Sequence, residues 1–281
     1  MKSNEPQRDR VFFSIVIASY NVKDDLIACI ESIQNQIFSD YELLISDGGS
    51  IDGTSEYISS TPIANLAWYK SASDNGIYDA LNIAIEHTSG KWILILGADD
   101  RLADSDALVR AHRQINRLGV TLGIAYSDLF ISSHKGVVLK KYPELDEFER
   151  RYRGGAFIHH QSAFVARESV VRAGKFSRSY MVHSDYDLML KVLKCTGAVK
   201  IRGAFVVFNS EGYSSKLSTL WKSFAEIYRI RKLHGYPPMP LRILASYCAL
   251  LTRRLVAFNR INSPFALRNL FVKTSLRRRI K

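Results

Sequence analysis

The chain has 281 residues, 47% of them apolar, and a formal net charge of +12. That length and apolar share exclude a disordered chain and a disulfide-stapled miniprotein, and suit one large α/β domain with a smaller appendage. The charge is uneven: Lys216 to Lys281 holds fifteen Lys and Arg against one acid, Glu226, a balance of +14 that leaves −2 for the rest. A near-neutral body with a basic tail points to an anionic surface met by the tail alone.

Cys29, Cys195 and Cys248 are far apart and odd in number, which fits neither a disulfide framework nor a thiolate metal site and suggests a reducing compartment. The opening MKSNEPQRDR lacks the apolar core of a signal peptide. No run reaches the roughly eighteen apolar residues of a spanning helix. The expected location is cytoplasmic.

Phe12–Ser19 reads as the first buried strand, ending at Tyr20-Asn21. Asp24 and Asp25 are placed to cap a helix whose Leu26, Ile30 and Ile33 follow helical spacing. Tyr41–Ser46 is a second strand. It runs into a polar, glycine-rich turn from Asp47 to Thr54, with Asp52 as a helix cap. Leu66–Lys70, the turn Ser73-Asp74-Asn75-Gly76 and a helix over Ile77–His87 follow; there Tyr78 reads as packing. Trp92–Gly97 is a fourth strand, apolar throughout and so buried on both faces.

Strands alternating with helices at this spacing predict a parallel sheet of βαβ units. Each strand ends in a polar cluster (Ser19/Tyr20, Asp47, Asp74, Asp99), and side-by-side strands bring those clusters to one rim, where open α/β sheets bind ligands. Asp99 and Asp100 stand adjacent there. A divalent cation with hard oxygen ligands, Mg²⁺ or Mn²⁺, would relieve their repulsion; a strand end with capping acids for a helix near Asp104–Leu118 fits as well. No GxGxxG follows the first strand and no GxxxxGK[ST] occurs, which disfavours a dinucleotide cofactor and a P-loop.

Beyond Asp100, Ala107–Leu118 reads as a helix, Gly123–Asp128 as a strand and Phe130–Tyr142 as a hairpin turning at His134-Lys135-Gly136. Glu144–Arg153 reads as a charged surface helix or loop. His159 and His160, if on a strand, point to opposite faces. Asp185 and Asp187 open an apolar helical run, where a helix N-terminus favours negative charge. Val199–Phe208 is a last strand, and Asn209–Lys216 a loop. A helix from Ser218 to Gly235 ends at a Pro-rich break. Leu241–Ile261 and Phe265–Ile280 pair apolar faces with Arg and Lys, as interfacial anchors on anionic lipid do; packing on the body is the alternative. The tail carries no nucleic-acid module, so no nucleic-acid partner is expected.

Taken in order, SIVIASYN (Ser14–Asn21), SDGGSIDGT (Ser46–Thr54), SDNGIYDALN (Ser73–Asn82), ILGADD (Ile95–Asp100), HHQSAFV (His159–Val165) and HSDYDLMLK (His183–Lys191) resemble family 2 glycosyltransferases of the GT-A type, nearest the branch that builds bacterial surface polysaccharides. The resemblance spans about Phe12 to Ser215. It implies a mixed, mainly parallel Rossmann-like sheet flanked by helices, with a catalytic domain over 1–215 and a basic helical appendage over 216–281. It further implies an inverting hexosyl- or N-acetylhexosaminyl-transferase that takes a nucleoside diphosphate sugar, UDP-linked in the main expectation. The acceptor is a saccharide or polyprenyl-linked saccharide, with the protein peripheral on the inner membrane face through 241–281.

By that resemblance Ala18, Tyr20 and Asn21 lie near the base, Asp47 bonds the uracil ring, and Asp74, with Gly76 beside it, lines the base and ribose pocket. Asp99 matches the last acid of the family's DxD motif, which holds Mg²⁺ or Mn²⁺; Gly97 replaces the first, leaving Asp99 and Asp100 for the metal. His160 lies near the diphosphate or acceptor. Ser214 and Ser215 contact phosphate or belong to a plain loop. Asp185 matches the second acid of the ED pair and is the catalytic base, with Ser184 in place of the first. Two alternatives remain: a nucleotidyltransferase, or a nucleotide-sugar-binding domain without catalysis.

Overall fold

The structure, a computed structural model, describes residues 11–118, 122–144, 158–210 and 220–237. Four strands, β1 (Phe13–Ser19), β2 (Tyr41–Asp47), β3 (Leu66–Ser71) and β4 (Trp92–Gly97), pair in parallel in the spatial order β3-β2-β1-β4. Helices α1 (Lys23–Gln34), α2 (Thr54–Ser60) and α3 (Ile77–Glu86) provide the crossovers. Ile15, Val16 and Ile17 are wholly buried, each contributing roughly 1.5–3 kcal/mol of apolar burial. Neither face of β1 meets solvent, which is why its sequence does not alternate.

The second half makes the sheet mixed. After the two-residue β5 (Arg101–Leu102) and α4 (Ala107–Ile115), the long β6 (Ile124–Ser133) turns back as β7 (Gly136–Lys140). Then come β8 (Ala163–Ala166), α5 (Arg167–Arg172), α6 (Ser184–Thr196), β9 (Ala198–Asn209) and α7 (Leu220–Leu233). The full order is β3-β2-β1-β4-β8-β6-β9-β5, with β7 on β6. β8 runs antiparallel between β4 and β6. It therefore begins at the edge of the sheet where β4 ends, and this reversal brings the residues just before β8 to the polar rim.

Several boundaries differ from the sequence reading. Asp24 and Asp25 lie inside the first turn of α1 rather than capping it, because Val22 holds the cap position; the side chain that bonds Lys23 N is Asp52, which also accepts from Thr54 N. The strand over Gly123–Asp128 and the first arm of the hairpin are one continuous strand. His159 and His160 are not on a strand: His160–Ser162 forms a 3₁₀ turn and β8 starts at Ala163, so both imidazoles can turn inward. Ser214, Ser215, Lys216, the stretch Glu144–Arg153 after its first residue, and 241–281 lie outside the described residues. Among the described residues no helix is long and apolar enough to cross a membrane.

Opposite the rim, Glu42 holds the sheet's other edge together. It is buried and accepts from Ser14 Oγ, Ser89 N, Ser89 Oγ and Gly90 N, at 2.5 to 3.1 Å. Glu42→Ala removes the acceptor of Ser89 N and of the Ser14 hydroxyl, while Gly90 N keeps Ser14 Oγ, and is expected to lower stability by about 1–3 kcal/mol. Chemical denaturation measures this.

Candidate active site

The register across β3, β2, β1 and β4 aligns Ser71 with Asp47, Asp47 with Ser19, and Ala18 with Gly97. The strand ends therefore form one continuous polar rim. Asp47 is buried there with both carboxylate oxygens in use: Oδ1 accepts from Ser19 Oγ and Ser50 Oγ, Oδ2 from Ser50 N and Ser71 Oγ. Burial pushes its carboxyl up, but these bonds outweigh burial and hold it below the usual carboxylate range. Asp47 thus fixes the rim; its direct bond to a base would displace one of these donors.

Asn21 ties the first loop to the second. Its N–H donates to Ser50 Oγ at 2.8 Å and its side-chain oxygen accepts from Ile51 N at 2.9 Å. Its φ of +52° is a left-handed conformation that Asn tolerates better than most residues. Ala18 is half-buried just below, while Tyr20 is 63% exposed. Between Tyr20 and Asp74 lies Gly48: a Cβ there would stand 2.9 Å from Asp74 Oδ2 and 3.2 Å from a Tyr20 ring carbon. Asp74 Oδ1 accepts from Gly76 N at 2.8 Å, and Gly76, at φ +107°, begins α3. These residues gather at the rim beside Asp47.

Asp99 and Asp100 follow β4. Asp100 is wholly buried, with Oδ2 accepting from Gly97 N at 2.7 Å and Oδ1 from Asn209 N at 3.0 Å. Burial, aided by the Asp99 charge, raises its carboxyl to about 7. Asp99 is raised as well, by burial and by Asp25. The missing side chain of Gly97 leaves a space that both acids face: an ideal Cβ there would lie 2.8 Å from Asp99 Oδ1 and 2.9 Å from Asp100 Oδ2. Among the described residues no three His, Cys, Asp or Glu side chains gather to hold a metal. Two converging carboxylates, destabilised as anions by burial, fit a hard cation that takes its other ligands from phosphate and water.

The third part is built on α6. Asp185 lies in its first turn, 15% exposed, and Oδ2 meets His160 Nδ1 at 2.9 Å. The Tyr78 hydroxyl bridges Val182 O at 2.6 Å and Asp185 Oδ1 at 3.2 Å. Burial raises the Asp185 carboxyl, but the His160 bond and the charges of His160 and His183 bring it down to about 2. An apolar seam of Ile95, Ala163, Phe176 and Leu188 backs the pair and strengthens their attraction. His160 also lies close enough to Asp100 for its charge to lower that carboxyl.

His159, expected to differ from His160, does so. It is packed against Tyr142 and Lys140, and burial drives its ring to about 3, so it is neutral. The sequence reading missed two contributors. Tyr78, read as packing, contacts the start of α6 through its hydroxyl while stacking on Phe176; its place in the quoted SDNGIYDALN segment was the available signal. Asn209 has no such signal, because a backbone donor needs no particular side chain.

Residues 14–172 match the family model described as Glycosyl transferase family 2. A PGL/p-HBAD biosynthesis glycosyltransferase of Mycobacterium bovis is 31% identical over 192 residues, covering 64% of this chain and 68% of that protein. A teichoic acid poly(glycerol phosphate) polymerase of Staphylococcus epidermidis is 24% identical over 188 residues, covering 64% of this chain and 26% of that protein. Among solved structures, S. aureus TarS 1-349 in complex with UDP-GlcNAc superposes with a TM-score of 0.64 at 16% identity, covering 79% of this chain and 65% of that one. The mannosyltransferase PcManGT of Pyrobaculum calidifontis, in complex with GDP-Man and Mn²⁺, has a TM-score of 0.59 at 17% identity, covering 95% and 80%. These structural likenesses show the GT-A architecture.

Asp100 yields a test of the strand-end electrostatics. Its carboxyl is raised from 3.8 to about 7 by folding, so its contribution to stability is complete below the unfolded value and is lost as pH rises through about 7. In metal-free protein, stability relative to Asp100→Asn should fall by about 2–3 kcal/mol between about pH 5 and about pH 8.5. Thermal or urea unfolding across that range measures it; a pH-independent difference would mean Asp100 is ionised throughout.

Proposed function

The chain belongs to glycosyl transferase family 2, and from that premise we propose that it is an inverting transferase whose donor is a UDP-linked sugar and whose acceptor is a saccharide or polyprenyl-linked saccharide of a cell-surface polymer. The reading places the nucleoside in a cleft around Gly48. Tyr20 offers an exposed ring for stacking, Asn21 and the Asp47-braced loop supply polar edges, and Asp74 with Gly76 faces the ribose. The names of the relatives and of the UDP-GlcNAc-bound structure support a sugar transfer of this class; hexose and N-acetylhexosamine both remain in the proposal.

One observation carries the catalytic assignment: His160, in the turn that leads into β8 beside the end of β4, touches Asp185. The diphosphate and the acceptor can thus meet across a short gap. Asp99 and Asp100 would hold Mg²⁺ or Mn²⁺, which when bound stabilises negative charge on the departing diphosphate. Asp185 is a carboxylate at any working pH. It takes the acceptor hydroxyl's proton as that oxygen attacks the anomeric carbon from the side opposite the diphosphate, and one base suffices for this inversion.

His160 orients the carboxylate, and Tyr78 fixes the loop beneath it. A basic strength of about 2 in the free protein is low for this task; an acceptor or phosphate that takes over the His160 contact would let Asp185 rise. Ser214 and Ser215 stay in the proposal as phosphate contacts. So does the membrane association of 241–281, which the basic residues there support. A nucleotidyltransferase gains nothing from the structure, since the loop after β1 is committed to Ser50 and Ile51 and carries no base before Lys23.

Nucleotide release from UDP-, GDP- and dTDP-sugars identifies the donor. Asp185→Asn should reduce turnover about 10²- to 10⁴-fold with UDP affinity retained; unchanged turnover would remove the base assignment. In calorimetry with UDP, Asp99→Ala should abolish the enhancement of binding by Mn²⁺, whereas metal-independent binding by the unaltered chain would refute the metal site.

A further inference from the structure

We propose that α7 is a positioning clamp for Asp185, with Glu226 as the positioning residue that sets where the base stands; this rests on the reading of Asp185 as the base. Glu226 is the single acid between Lys216 and Lys281, and it is turned inward and buried. Its Oε1 accepts from Met181 N at 2.7 Å, and its Oε2 from Val182 N and His183 N, each at 2.9 Å. These are the backbone groups that lead into α6, at the end where N–H groups lack intrahelical partners. A carboxylate there is also favoured by the helix dipole, and its bonds are charge-assisted.

The rest of α7 and the turn after it grip the same turn of α6. Ser223 Oγ meets His183 Nε2 at 2.5 Å, Arg231 Nη1 donates to Tyr186 OH at 3.0 Å, and His234 Nε2 meets Asp187 Oδ1 at 2.8 Å. Contacts from 223–234 therefore fall on 181–183 and on 186–187, on both sides of Asp185. Asp185 itself is bonded by His160 and Tyr78, which belong to the sheet domain. Control of one carboxylate is thus shared: the sheet domain holds its oxygens, and α7 with the turn after it holds the residues on either side of it. Part of the basic appendage is thereby a working element of the catalytic centre. An ångström of drift at the start of α6 would spoil the approach to the acceptor while leaving the nucleotide cleft around Gly48 intact.

The test measures turnover of the sugar nucleotide used fastest in the donor screen, and UDP affinity by calorimetry, for full-length Glu226→Gln, Ser223→Ala, Asp185→Asn and the Glu226→Gln/Asp185→Asn double variant. Assays run well below the melting temperature of each. Glu226→Gln is expected to lower kcat at least tenfold with UDP affinity within twofold, and to add less than a twofold loss in the Asp185→Asn background, since it acts through that residue. Ser223→Ala, which removes the hydroxyl that meets His183, should give a smaller loss of the same kind and serves if Glu226→Gln does not fold. Unchanged kcat with a lower melting temperature would overturn the proposal, as would an equal loss in both backgrounds. Full turnover by Asp185→Asn alone would instead strike the base assignment.

Discussion

The contact between His160 Nδ1 and Asp185 Oδ2, 2.9 Å long and largely shielded from water, is the interaction on which the arrangement of the site depends. His160 reaches it only because β8 runs antiparallel into a parallel half-sheet, so that the turn before β8 sits beside the end of β4. Asp185 reaches it only because α6 begins at the same place. A crossover of the βαβ kind, continued once more, would have put the residue before β8 at the opposite edge. The reversal in the sheet therefore brings His160 and Asp185 to the rim that the first four strands build.

Buried carboxylates recur through the molecule, and the donors around each decide its role. Glu42 and Asp47 each receive four bonds and act as structural knots at opposite edges of the sheet. Asp187, held by His234 and Lys191, and Glu226, holding three amides, fasten α7 to α6. Asp100 receives two backbone bonds, which do not offset its burial beside Asp99. Asp185 is the opposite case, since imidazole contacts more than offset its burial. A carboxylate left under-compensated is suited to take a cation, and one held ionised beside a cleft is suited to take a proton.

The first half of the fold was legible because its strands are buried on both faces and bounded by turn residues, so that periodicity and punctuation agree. The rim followed from topology alone, and Asp99 was visible as an acid at the end of an apolar strand. Asp185 emerged only through resemblance; by pattern it was an ordinary acid at a helix start. The histidines were misplaced because a 3₁₀ turn of three residues has no periodicity to detect. Glu226 was conspicuous only as an odd acid in a basic tail, and its partners are backbone N–H groups more than forty residues away, which no local pattern encodes. The bracing of Asp47 by three serines was not legible, because it rests on hydroxyl geometry.

The decisive measurement is a crystal structure of the full chain with UDP and Mn²⁺. The expected result has uracil in the cleft between Tyr20 and Asp74, the diphosphate joined through the cation to Asp99, and the β-phosphate facing the gap lined by His160 and Asp185. Nucleotide bound in a different cavity, or a diphosphate directed away from Asp99 and Asp185, would contradict the convergence of these residues on one substrate.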